Sequence, residues 1–145
     1  MAIDGTCLDL ADTPDNDAAF GRPATGRGQG VGAFPKVRMV GVAECGTHAL
    51  VDVAVGPYQE AEKTLAAKVF RALRPRMLLA ADRGFFSFEL WQQAAQTGAD
   101  LLWRAKSNQD LAVEEVLEDG SYLSRVYEIA NFKRRGKGVP VRVIV

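Results

Sequence analysis

The chain has 145 residues, 48% of them hydrophobic and 25% charged, with 18 Lys+Arg balanced by 18 Asp+Glu. That length and composition suit one domain with a real apolar core, and zero net charge singles out no class of partner. Cys7 and Cys45 stand alone in the sequence, which excludes a Cys-x-x-Cys zinc site and a disulfide scaffold. No apolar run reaches membrane-spanning length and no signal-peptide pattern opens the chain, so the expectation is a cytosolic protein with no membrane partner.

Charge is distributed unevenly. The first twenty positions hold Asp4, Asp9, Asp12, Asp15 and Asp17 and no Lys or Arg. From Ser121 onward, Arg125, Lys133, Arg134, Arg135, Lys137 and Arg142 face a single acid, Glu128. The basic end is a candidate for meeting phosphate.

In chain order, residues 1 to 8 read as the stub of a strand with Asp4 at its end. Residues 9 to 35, rich in Asp, Gly and Pro, read as a long loop. "KVRMVGVAECGTHALVDVAV", residues 36 to 55, predicts a β-hairpin turning near Cys45-Gly46-Thr47, and Gly56-Pro57 ends its second arm. Residues 59 to 73 predict a helix, because Ala61, Leu65, Val69 and Leu73 recur at steps of four. Pro75 stops it. "RMLLAA", residues 76 to 81, predicts a central parallel strand buried on both faces. Ser87 is a candidate N-cap for a helix running to about Thr97, with Gly98 past its end. "DLLWRAK" is the next strand. Strands at 121–127 and 139–145 then flank the turn "NFKRRGKG". A hairpin followed by strand–helix–strand alternation predicts a mixed α/β sheet with helices on it, the order of the RNase H-like architecture. That architecture places the first strand beside the strand that follows the hairpin and its helix.

Two apolar runs each deliver an Asp and then a Gly: "AIDG" ends on Asp4, and "LLAADRG" on Asp82. If their strands are parallel neighbours, the carboxylates come side by side, because adjacent strands lie about 4.8 Å apart. Carboxylates that close repel unless a cation lies between them, and hard divalent ions prefer such oxygens. The glycines would leave room for a substrate phosphate. The ordinary alternative is that Asp-Gly after a strand is a turn.

The stretches "AIDGTCLDLADTPDN", "FPKVRMVGVAECGTHALVDVAVGPY", "LLAADRGFFSFELW" and "TGADLLWRAKSN" resemble the catalytic domain of DDE-type insertion-sequence transposases of the IS-four group. The resemblance covers roughly residues 2 to 108. The carrying motif is Asp82, then Gly84 and Phe85, with Asp4 matching the first catalytic Asp. It implies an RNase H-like core over residues 1 to 110 and the start of a β-rich insertion over residues 111 to 145. It implies that Asp4 and Asp82 are catalytic ligands of Mg²⁺ or Mn²⁺. The chemistry it implies is hydrolysis of a DNA phosphodiester at an element end, followed by attack of the freed 3′-hydroxyl on a second strand. DNA is then the partner, with another transposase chain as a further candidate, and the bacterial nucleoid is the place of action.

The family's third carboxylate belongs to the pattern Tyr-x₂-Arg-x₃-Glu-x₆-Lys. Tyr122 and Arg125 start such a pattern, but the Glu position falls on Ile129, and Glu128 is one residue short. The expectation is a chain truncated at both ends, lacking the third acid and inactive by itself. A non-catalytic remnant that binds DNA or a full-length transposase is the competing reading.

Other motifs carry less. Before Asp-Gly-Thr a dehalogenase-type phosphatase needs an Asp nucleophile where Ala2 stands. Gly28-x-Gly30-x-x-Ala33 lies in a loop before a proline, not between strand and helix, so no dinucleotide site follows. His48, beside Glu44, reads as a turn residue, and Trp91 and Trp103 read as core. The candidate DNA contacts are Arg83, Arg104, Lys106, Lys133, Arg134, Arg135 and Lys137, with Arg22 and Arg27 as lesser candidates in the loop.

Overall fold

A computed structural model describes residues 1–24, 32–128 and 138–145. The first strand, β1 (Ala2–Asp9), is the middle of a five-stranded sheet ordered β3-β2-β1-β4-β5. Strands β2 (Lys36–Ala43) and β3 (Leu50–Pro57) run antiparallel to their neighbours, as the predicted hairpin requires. Strands β4 (Leu78–Ala81) and β5 (Asp100–Trp103) extend the other side in parallel, β4 directly beside β1. This is a mixed α/β sheet of RNase H-like order, with the first strand and the strand after the hairpin's helix adjacent.

Strand β1 matches the expected extent to within a residue but does not stop at Asp4. Its residues 4 to 9 continue against β2 as far as the Asp9–Lys36 pair, where a 2.5 Å ion pair closes the ladder. Asp4 therefore lies within β1, not at its end. The loop expected over 9 to 35 contains a helix, α1 (Pro14–Phe20). Thr13 caps it by accepting from the Asn16 N–H, and Pro14 occupies its first turn.

Helix α2 (Glu62–Val69) and a 3₁₀ turn (Phe70–Ala72) cover one face of the sheet, with α3 (Phe88–Ala95) beside them. Of the predicted repeat, Leu65, Val69 and Leu73 are buried, with Ala66, in the core shared with Ile3, Val40, Val42 and Ala54, whereas Ala61 is exposed before a helix shorter than the predicted 59 to 73. Ser87 caps α3 by accepting from the Leu90 N–H, and Gly98 takes the left-handed conformation just beyond the helix, at φ 80°. Trp103 packs against the core and meets Trp91 edge-on, with centroids 5.2 Å apart.

The opposite face carries no helix among the described residues. Alternation puts Leu8, Leu78 and Leu102 on that face, exposed at 49%, 49% and 53%, and Leu50 of β3 at 68% joins them. Strand β4 is therefore central but covered on one side only: Leu79 is fully buried, Leu78 is not. A second, antiparallel sheet, β6-β7-β8, holds β6 (Glu115–Val116), β7 (Tyr122–Val126) and β8 (Val139–Val143). Tyr122 and Arg125 lie on strand β7, not on a helix. No helix among the described residues is long and apolar enough to cross a membrane.

Candidate active site

The parallel register aligns Ala2 with Ala80 and Ile3 with Ala81. The next residue on each strand is an aspartate, Asp4 on one and Asp82 on the other. The register between β4 and β5 ends on Ala81 opposite Trp103, and the Arg104 N–H still bonds to the Ala81 carbonyl at 3.0 Å. Asp4 within β1, and Asp82 and Arg104 as the first residues past β4 and β5, thus each follow the last register pairs of these three adjacent strands by one residue. All three are exposed, and Asp4 lies on the face that the helices leave open. Asp82 and Arg104 stand at the carboxyl end of β4 and β5, where open α/β sheets collect ligands.

Each carboxylate is oriented by a glycine amide. The Gly5 N–H donates to Asp4 Oδ1 and the Gly84 N–H to Asp82 Oδ1, both at 2.8 Å. One oxygen of each Asp stays available. The glycines do not leave an open space. A Cβ at Gly5 would lie 2.0 Å from Glu62 Oε1, and one at Gly84 would lie 3.0 Å from Asp82 Oδ1. Their smallness admits neighbouring carboxylates instead.

The loop after β4 is anchored at three points. Phe85 is 2% exposed in the core, and its N–H donates to the Asp82 carbonyl at 3.3 Å. Lys63 of α2 donates from Nζ to the Phe86 carbonyl at 3.0 Å. Ser87 then opens α3. Lys63 gave no signal in sequence, because a lysine inside a helical repeat reads as solvated surface.

Pairing separates the cations into two groups. Arg22, Lys36, Lys68, Arg71, Arg125 and Arg142 each hold an acidic partner. Arg83, Arg104 and Lys106, at the ends of β4 and β5, hold no acidic partner among the described residues. The Arg22 guanidinium lies between Asp12 and Asp17, at 2.5 and 2.9 Å. Lys133, Arg134, Arg135 and Lys137, with Arg27, Gly28, Gly30 and Ile129, fall outside the described residues.

Two carboxylates at strand spacing fit a hard divalent cation that keeps water or phosphate oxygens in the rest of its shell. No group of three or more His, Cys, Asp or Glu side chains able to hold a metal forms among the described residues. A shallow cleft of about 270 Å³ adjoins Asp4 on the open face, lined by Thr6, Met39, Gly41, Leu50 and Val53. His48 and Glu44 lie in the β2–β3 turn. Glu44 accepts from the Gly46 N–H at 2.9 Å, and from the Thr47 N–H and hydroxyl at 2.5 and 2.7 Å. Those donors, the Thr47 hydroxyl first, hold its carboxyl down at about 2. Glu44 is thus a turn residue.

Known proteins resemble the chain over most of its length. A family model described as a transposase DDE domain matches residues 1–141. The chain is 27% identical over 141 residues to the transposase InsG for insertion sequence element IS4 of Escherichia coli K12, covering 96% of this chain and 31% of that protein. It is 26% identical over 124 residues to the putative transposase InsZ of the same organism, covering 86% of this chain and 41% of that one. It therefore spans well under half the length of either relative. No solved structure matches it significantly. With the family model matching nearly its whole length, the chain belongs to the transposase DDE-domain family.

Proposed function

We propose that the chain is the catalytic-domain portion of a DNA transposase, and that Asp4 and Asp82 are two carboxylates of its metal site. The observation that supports this reading is that each aspartate follows the Ile3–Ala81 pair of parallel neighbouring strands by one residue. Use of divalent metal ions is general in this family. Mg²⁺ or Mn²⁺ bound between the two carboxylates would supply Lewis acidity at a phosphodiester.

The chain's own groups do the rest. The Gly5 and Gly84 amides fix the carboxylates, so little reorganisation is needed on loading. Arg104, level with Asp82, and Arg83 beside it are free to neutralise a phosphate. Hydrolysis breaks the P–O3′ bond, leaving a 3′-hydroxyl and a 5′-phosphate. That hydroxyl then attacks a phosphodiester of the target strand, forming one P–O bond and releasing the target's own 3′-hydroxyl. Transposon ends and target DNA are the substrates, so the place of action is the DNA, the nucleoid in a bacterial cell.

A second reading is favoured by the absence of a three-ligand cluster among the described residues. In it the chain binds DNA or a full-length transposase chain and does not cut. Nicking of supercoiled plasmid in Mg²⁺ or Mn²⁺ tests the pair of readings. A catalyst converts plasmid to open circle and loses this with Asp82→Asn. A binder retards DNA equally well with Asp82→Asn and never nicks it.

A further inference from the structure

Helix α2 is fixed to the half of the site that carries Asp4. Its Leu65, Ala66 and Val69 share the buried core with Ile3, the residue before Asp4. In its first turn Glu62 lies against Gly5, so close that a Cβ there would come within 2.0 Å of Glu62 Oε1. The next residue, Lys63, reaches the other half. Its Nζ donates to the Phe86 carbonyl at 3.0 Å, across 23 positions of sequence. Hydrogen bonds then run back to the aspartate. The Phe85 N–H donates to the Asp82 carbonyl at 3.3 Å, and the Gly84 N–H to Asp82 Oδ1 at 2.8 Å. We propose that Lys63 is a positioning residue, which holds the Asp82 carboxylate in place relative to Asp4 and so sets the affinity of the two for a divalent cation. The proposal rests on the reading of both aspartates as metal carboxylates and adds the group that keeps them in register.

Asp82 is the half that needs support. It stands past the last residue of β4, so no strand ladder holds it, whereas Asp4 is paired on β1. Lys63 forms no ion pair with an acid among the described residues, and its ammonium is committed to this one carbonyl. A charged donor makes the bond roughly twice as strong as a neutral one. Phe86 is buried, so its carbonyl loses stabilisation when that donor is removed.

The test is a Mn²⁺ titration of the 145-residue chain, followed by electron paramagnetic resonance, for wild type, Lys63→Met and Lys63→Arg. Thermal unfolding shows which variants are folded. Lys63→Met removes a positive charge, and by Coulomb's law that change favours a bound cation. A loss of affinity therefore reports position and not charge. Lys63→Met should bind Mn²⁺ about tenfold more weakly, the lower end of what loss of an orienting group costs. Trypsin supplies a second readout. Cleavage after Arg83, inside the loop, should quicken in Lys63→Met, while cleavage after Arg76, before β4, should not. Lys63→Arg keeps the donor and should restore both readouts. Lys68→Met, the same substitution on the same helix at a cation paired with Glu60, should change neither. Lys63→Gln, a milder truncation, carries the comparison if Lys63→Met does not fold. A folded variant in which either readout stays at the wild-type value overturns the positioning role and leaves the metal reading intact. A wild-type chain that binds no Mn²⁺ overturns that reading and this proposal with it.

Discussion

Asp4 and Asp82 each follow the Ile3–Ala81 pair of two parallel strands by one residue, Asp4 within β1 and Asp82 just past β4, and each carboxylate accepts from the amide of a glycine. One belongs to a strand that continues for five more residues, the other to a loop. The site thus joins a rigid half to a half that depends on how its loop is held.

That dependence predicts the effect of Phe85→Ala. Phe85 is almost fully buried and is the apolar anchor of the Asp82 loop. Its truncation should cost about 3–5 kcal/mol, the range for Phe→Ala in a core. Denaturant unfolding checks this, and a loss under about 1 kcal/mol would show that the loop is not anchored there.

Arg104 should contribute to DNA binding in proportion to its freedom from ion pairs. Arg104→Ala should lower the salt slope by about one, whereas Arg125→Ala, at a cation already paired with Glu114, should leave it unchanged. Anisotropy titrations at several salt concentrations decide between these outcomes.

The β2–β3 turn should be acid-sensitive. Glu44 titrates at about 2 in the fold, below its ordinary 4.5. A carboxyl lowered by folding adds stability above its unfolded value and loses it as pH falls. Wild type should therefore lose stability between about pH 5 and pH 2 through this group. Glu44→Gln should be less stable near neutrality and show a shallower acid loss. Superimposable pH profiles would remove Glu44 from the account.

The open face should promote self-association. Leu50, Leu78 and Leu102 are exposed apolar side chains on the face without a helix. Sedimentation should show a concentration-dependent mass, reduced in Leu50→Gln/Leu102→Gln. Since both leucines are exposed, each substitution should change folding stability by no more than about 0.5 kcal/mol. A wild-type chain that stays monomeric at high concentration contradicts this.

Much of this arrangement was legible in the sequence. Val alternation and the Cys45-Gly46-Thr47 turn marked the hairpin, and the Leu65–Val69 spacing marked α2. Asp-x-Gly after an apolar run marked the loop beyond β4. Helix α1 was missed although Thr13-Pro14 is a readable helix start, because the surrounding Gly and Pro residues outweighed a helix of seven residues. The extent of β1 was close, but Asp4 was misplaced at its end, because only pairing with β2 shows that the strand runs on past Asp4 to Asp9. Lys63 was missed for another reason. A lysine's role depends on which carbonyl it reaches across the fold, and spacing along one helix carries no trace of that.

The most direct test of the central claim is a Mn²⁺ titration of the chain, read by electron paramagnetic resonance, for wild type, Asp4→Asn and Asp82→Asn. The account predicts saturable binding in wild type that is lost or weakened at least about tenfold in each variant, as removal of a metal ligand or its support commonly does. Equal binding in all three proteins, or none in wild type, would contradict it.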